Sequence, residues 1–119
     1  MSRVILDTED YKKMRYETAG DWYKRRRQLR IIAARLGDWK MEACLQIHEL
    51  VEAWLCRAHG VTEAQVDEFD FAFKGDGEPG DAPDCPYGAE HRAADVVERT
   101  LAFFLEVDWN EYERRIGEL

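Results

Sequence analysis

From Trp39 to His59, apolar residues recur at three- and four-residue steps: Trp39, Ala43, Cys44, Ile47, Val51, Trp54, Leu55 and Ala58. That period gives an α-helix one wide apolar face, which the pattern predicts turns toward the core. Asp38 ahead of it is a good N-cap, and Gly60 stands where a left-handed residue ends a helix. Thr62 and Gln65 then form a capping box, with Val61 and Val66 as its hydrophobic staple. A second helix is therefore expected over about Glu63 to Phe73, burying Val66, Phe69 and Phe73. A third is expected over about Ala89 to Glu106, with Ala94, Val97, Leu101, Phe104 and Leu105 inward. Asp108 caps a last short helix that tucks in Tyr112 and Ile116.

The first third of the chain reads differently. Val4-Ile5-Leu6, Arg15 to Tyr23 and Leu29 to Leu36 are rich in aliphatic, aromatic and β-branched residues and read as strands, although Leu29 to Leu36 also fits a helix. The basic run Lys24 to Arg27 between the last two is then the exposed connection of a hairpin. Residues 75–88 hold all three prolines and half of the eight glycines, so they form one long loop, functional or mobile. The expectation is a single α+β domain over residues 1–119. A small antiparallel sheet of two or three strands packs on a central helix, with two or three further helices around it.

Composition narrows the function classes. The net charge is −8, which argues against a nucleic-acid binder, because phosphate contacts need clustered Lys and Arg. An acidic surface suits a cationic ligand, a metal, or a partner that normally binds nucleic acid. No stretch approaches the roughly 20 apolar residues of a membrane span. Met1 to Asp10 turns acidic too soon for a secretory signal. Three cysteines, an odd number, fit a reducing compartment, so the expected location is the cytoplasm. Cys44 and Cys56 lie on one predicted helix, roughly 18 Å apart, too far for a disulfide, and read as buried small apolar groups. The tryptophans at 22, 39, 54 and 109 read as packing residues.

Chemistry concentrates at His48-Glu49-Leu50-Val51-Glu52. Residues four apart on a helix have Cβ atoms about 5–6 Å apart, so His48 and Glu52 can reach one ion. Zinc accepts imidazole nitrogen and carboxylate oxygen, and catalytic sites use three protein ligands. His91, just past the 75–88 loop, is the candidate third ligand. Asp95 and Glu98 follow it as further ligands or as partners that orient an imidazole. Glu68 and Asp70 add carboxylates for a harder ion such as Mn²⁺ or Mg²⁺. The competing reading of the same residues is a buried polar network or a solvated helix pair. His59 beside Gly60 fits a partner of the helix C-terminal dipole. Gly75-Asp76-Gly77 with Glu78 and Asp81 lacks the residue order of a calcium loop. There is no Ser-His-Asp arrangement, phosphate loop or Gly-x-Gly-x-x-Gly.

Ile47-His48-Glu49-Leu50-Val51-Glu52-Ala53 resembles the active-site helix of the zincin metallohydrolases, with Glu52 in place of the second histidine. The resemblance implies a divalent metal, zinc first, held by His48, Glu52 and His91, with Glu49 as general base. The pair Glu49 and Glu52, set against Asp95 and Glu98, also looks like the carboxylate arrangement of all-α nucleotide pyrophosphatases, which hold Mg²⁺ between helices. Over a longer span, RYETAGDW, LGDWKMEACLQIHELVEAWLC, VDEFD and EPGDAPDCPY followed by Glu90-His91 resemble small uncharacterised proteins of bacteriophages and prophages. That implies action in the cytoplasm of a bacterial host. It also opens a non-enzymatic alternative, an acidic protein that binds and inhibits a host defence or regulatory factor.

Overall fold

The structure, a computed structural model, describes residues 3–119. Strands β1 (Arg3–Glu9), β2 (Gly20–Arg25) and β3 (Gln28–Ala34) precede helices α1 (Trp39–His59), α2 (Glu63–Ala72), α3 (Gly88–Phe104) and α4 (Trp109–Gly117). Single 3-10 turns occupy Tyr11–Lys13 and Pro79–Asp81. The α+β class is as expected.

The sheet is mixed rather than antiparallel throughout. β2 and β3 form the expected hairpin, pairing from Gly20 with Ala33 to Arg25 with Gln28. β1 lies parallel to β3 on its other side, from Arg3 with Gln28 to Glu9 with Ala34. The physical reason is the wide connection over residues 10–19. It reverses the chain but leaves a gap one strand wide, and β3 fills it. The hairpin turn is only the second half of the basic run, Arg26-Arg27, with Arg26 at φ 58°, while Lys24 and Arg25 belong to β2 and pair with Leu29 and Gln28.

Helix ends follow the local chemistry. The Asp38 carboxylate accepts from the backbone N–H of Lys40 at 2.9 Å, and Gly60 has φ 77°. Thr62 and Gln65 exchange both bonds of the capping box. The Asp108 side chain accepts from the Glu111 N–H at 3.1 Å.

Helix faces follow the apolar pattern only in part: Cys44, Val66, Ala94 and Tyr112 are buried as expected, but much of the inward stripe of α1 and α3 is polar. The buried stripe of α1 is Met41, Cys44, Leu45, His48, Glu52, Ala53 and Cys56, while Trp39 is 67% exposed and Trp54 50%. One residue is about 100° around a helix, so the inward stripe sits about that far from the expected one. On α3, Glu90, His91, Ala94, Glu98 and Ala102 point inward, and Val96, Val97, Phe103 and Phe104 face out. Of the α2 residues expected inside, Val66 is buried, whereas Phe69 and Phe73 are half-buried.

These faces divide the interior. Trp22, Leu29, Ile31, Ala53, Cys56, Val66 and Tyr87 form one apolar cluster. Ala33, Met41, Cys44, Leu45, Ala102 and Tyr112 form the other. Along α1 the two meet at His48 and Glu52, so a polar layer crosses the core between them. All three cysteines are free, and Cys44 and Cys56 are buried as expected. Among the described residues no helix is long and apolar enough to cross a membrane.

Candidate metal centre

The polar layer is built by α1 and α3 facing each other. Cys44, Ala94 and Ala102 on the two helices are buried and small, which leaves room between them for the long polar side chains. His48 Nε2 lies 3.2 Å from His91 Nδ1 and 3.2 Å from Glu52 Oε2. His91 Nδ1 is 3.1 Å from the same Glu52 oxygen. The three expected ligands thus form a nearly equilateral triangle of donor atoms. A tetrahedral ion about 2.0–2.1 Å from each ligand spaces them about 3.3 Å apart, so the triangle fits one face of a zinc site.

Outer partners fix each ligand. His48 Nδ1 lies 2.8 Å from Glu98 Oε1, whose other oxygen accepts from the Tyr112 hydroxyl at 2.6 Å. With the Nδ1–H donated to Glu98, Nε2 presents its lone pair to the triangle; a carboxylate behind a histidine is the usual support of a metal ligand. Asp95 also approaches His48 Nδ1, at 3.2 Å. The second oxygen of Glu52 accepts from the Trp22 indole N–H at 3.1 Å. Glu98 and Asp95 were the expected orienting residues. Trp22 and Tyr112 were not, since each comes from an element distant in sequence and carries no pattern of its own.

Glu49 lies beside the triangle, with its Oε2 3.8 Å from His48 Nε2. The backbone at Gly20 packs against it: a Cβ there would stand 2.8 Å from Glu49 Cγ. The face opens on a cavity of about 700 Å³ lined by Tyr16, Glu17, Glu49, Asp70, Phe71 and Tyr87, among others. Several carboxylates line it, and no Lys or Arg does.

The carboxylates around the two imidazoles govern the electrostatics of the site. Burial opposes a charge on His48, yet the Asp95, Glu52 and Glu98 carboxylates outweigh it and hold its pKa well above the ordinary histidine range. Burial opposes charge on His91 too, but Glu52 and Glu78 push it up to about 10. Burial alone would raise Glu52; hydrogen bonds from both imidazoles hold it below the usual carboxylate range. Burial, with the Glu52 charge added, drives Glu49 well above that range. The imidazoles therefore hold protons that an incoming cation would displace.

Two further acids expected as options for a harder ion lie apart from the triangle. Glu68 is exposed on α2. Asp70 accepts from the Tyr16 hydroxyl at 2.7 Å and from that of Tyr87, across the cavity. Burial raises its pKa from 3.8 to about 6, against the pull of the two hydroxyls. A carboxyl with a raised folded pKa favours the fold below its unfolded value, and that stability is lost as pH rises through the folded one. Metal-free protein should lose about 1 to 3 kcal/mol from this group between pH 4 and pH 6. In Asp70→Asn the fall should shrink by that amount in urea denaturation; an unchanged pH profile would contradict the assignment. His59 does more than face its helix end, lying 2.9 Å from Glu90 Oε2.

No protein-family model matches the chain, and neither a search of curated proteins nor one of solved structures finds a match.

Proposed function

We propose that this chain is a zincin-like metal-binding protein with the capacity of a metal-dependent hydrolase. His48, Glu52 and His91 hold the ion, and Glu49 is the general base. The observation that carries the reading is the triangle of His48 Nε2, His91 Nδ1 and Glu52 Oε2, with edges of 3.1–3.2 Å inside a buried layer. A zinc ion in it would supply Lewis-acid polarisation and lower the pKa of water to about 7. Burial and the Glu52 charge hold Glu49, beside the triangle and open to the cavity, toward its protonated form in the metal-free fold; the charge of a bound cation would favour its carboxylate, which would then take a proton at Oε2 and return it to a leaving group. Trp22 and the Glu98–Tyr112 pair keep the ligands in one orientation, and the two apolar clusters keep bulk water from the layer's flanks.

The acid-lined cavity, with no Lys or Arg in its lining, favours neutral or cationic substrates. It gives little support to a nucleotide pyrophosphatase, whose polyphosphate needs cationic partners. The resemblance of the IHELVEAWLC segment to phage-encoded proteins supports action in a bacterial host's cytoplasm. The interaction-protein reading rests on a different face: Val96, Phe103 and Phe104 are exposed on α3 of a chain with net charge −8, an apolar strip suited to a host protein partner.

Elemental analysis of protein purified without added metal tests the leading reading. At least one equivalent of a transition metal per chain is expected, removable by a chelator with a fall in melting temperature. Less than about a tenth of an equivalent, with no tight zinc uptake on titration, would leave the layer a structural network and favour the interaction role.

A further inference from the structure

The other nitrogen of His91 faces a second donor set. Its side chain is only 6% exposed, and its Nε2 is fully buried with no hydrogen-bond partner. A buried imidazole nitrogen normally has a partner, so an orphaned one calls for an explanation. Around it stand three carboxylates. Glu78 Oε2 and Asp81 Oδ1 are each 3.3 Å away, and Asp95 Oδ2 is 3.6 Å away. None is aligned to accept a hydrogen bond, yet the ligand atoms of Glu78, Asp81 and His91 all lie within 4.8 Å of one another.

The 75–88 loop is shaped for this arrangement. The 3-10 turn Pro79–Asp81 brings Asp81 back over Glu78, with the Asp81 N–H donating to the Glu78 carbonyl at 3.1 Å. Both carboxylates then point to one side. Gly80 lies flat on the imidazole, where a Cβ would come within 2.4 Å of His91 Cγ. Asp95 stands one helical turn beyond His91 on α3 and brings its Oδ2 to 3.6 Å from the same nitrogen. The Glu78 and Asp81 side chains are 60% and 62% exposed and that of Asp95 is 42% exposed, so the set is open to solvent from the loop side, unlike the inner triangle.

We propose that His91 Nε2, Glu78, Asp81 and Asp95 form a second divalent-cation site, filled together with the inner one so that His91 bridges two ions. One nitrogen with three carboxylate oxygens suits zinc, manganese or ferrous iron better than calcium or magnesium. A bridging imidazole carries no N–H, so filling both sites releases the ring's last proton to the solvent. Three acidic side chains offset the repulsion between the two cations. The count of two rests on the inner site being occupied, whereas the loop site has its own donors.

Zinc alone, added to chelator-stripped protein and counted by native mass spectrometry after gel filtration, separates the two sites. The unaltered protein should retain two ions. The double variant Glu78→Gln/Asp81→Asn should retain one, and both changes fall on exposed loop positions that leave the core untouched. Glu52→Gln should also retain one, at the loop. A single ion in the unaltered protein, lost with Glu52→Gln but kept by the loop variant, would overturn the second site and leave the first. A single ion lost only in the loop variant would support the loop site and remove the inner one. A single ion kept by both variants would mean that the two sets compete for His91, and would overturn simultaneous filling. No retained ion would overturn both.

Discussion

Glu52→Gln is expected to remove most of the stabilisation that zinc gives the unaltered protein. Zinc at a hundred to a thousand times its dissociation constant stabilises a native state by about 2.7 to 4.1 kcal/mol. For a chain of this length that corresponds to an upward shift in melting temperature of about 10 to 15 °C. Glutamine keeps the shape and the hydrogen bond from Trp22, whose indole donates to Glu52 Oε1 at 3.1 Å. It loses the negative oxygen that closes the triangle. The inner affinity should therefore fall by more than the ten- to hundredfold that losing an outer partner costs. The shift that remains should be small, that of an ion at the exposed loop. Zinc uptake in the unaltered protein should also weaken as pH falls, because His48 and His91 both take protons in the metal-free fold. Differential scanning fluorimetry with and without zinc checks the prediction. A variant that keeps the full shift would remove Glu52 from the ligand set.

The second large effect is expected at Gly80. A Cβ there would stand 2.4 Å from His91 Cγ and 2.5 Å from its Nδ1, the atom that faces the triangle. Real structures do not tolerate such contacts, so the turn or the ring must move. The ring is held by Glu52 on one side and packed against His48, with centroids 4.8 Å apart. Gly80→Ala should cost about 1 to 3 kcal/mol of stability, as overpacking does. Turning the ring should also lower zinc affinity about ten- to a hundredfold. Gly77→Ala is the control. Gly77 has φ 79° and open space around its missing Cβ, so that variant should strain the backbone by about 1 to 2 kcal/mol without touching the ring, and leave the inner site's zinc affinity unchanged. Calorimetric titration beside urea denaturation reads both quantities. Normal zinc affinity in Gly80→Ala would show that the turn does not orient the ring.

Local signals predicted the element order well, and long-range ones less so. Asp38, Gly60, the Thr62–Gln65 box and Asp108 act on neighbouring backbone groups, so their consequences are visible in short windows of sequence. The helix faces were misjudged because a polarity pattern counts His48, Glu52, His91 and Glu98 as outward residues. They are inward because they satisfy one another across α1 and α3, a pairing no single helix reveals. Trp54 and Phe104 then face out by geometry, since the opposite side of each helix is taken. The pairing of His48, Glu52 and His91 was legible because two share a helix and histidines are few. Asp70 with Tyr16 and Tyr87, and Glu98 with Tyr112, join residues 14 to 54 positions apart, and nothing local announces them. The parallel placement of β1 was hidden for the same reason.

That placement bears on how the chain is assembled. β1 is made before β2 and β3, yet its partner in the sheet, among the described residues, begins at Gln28, beyond the whole of β2. Until the hairpin has closed, β1 is an extended segment with both edges bare. Val4 and Leu6 remain largely exposed even afterwards, on an edge strand. Arg3, Asp7 and Glu9 put charge along that strand, which is how proteins discourage bare edges from pairing with one another. Charge along β1 thus has a task that precedes any ligand: it keeps an early strand from pairing elsewhere until β3 is there to receive it.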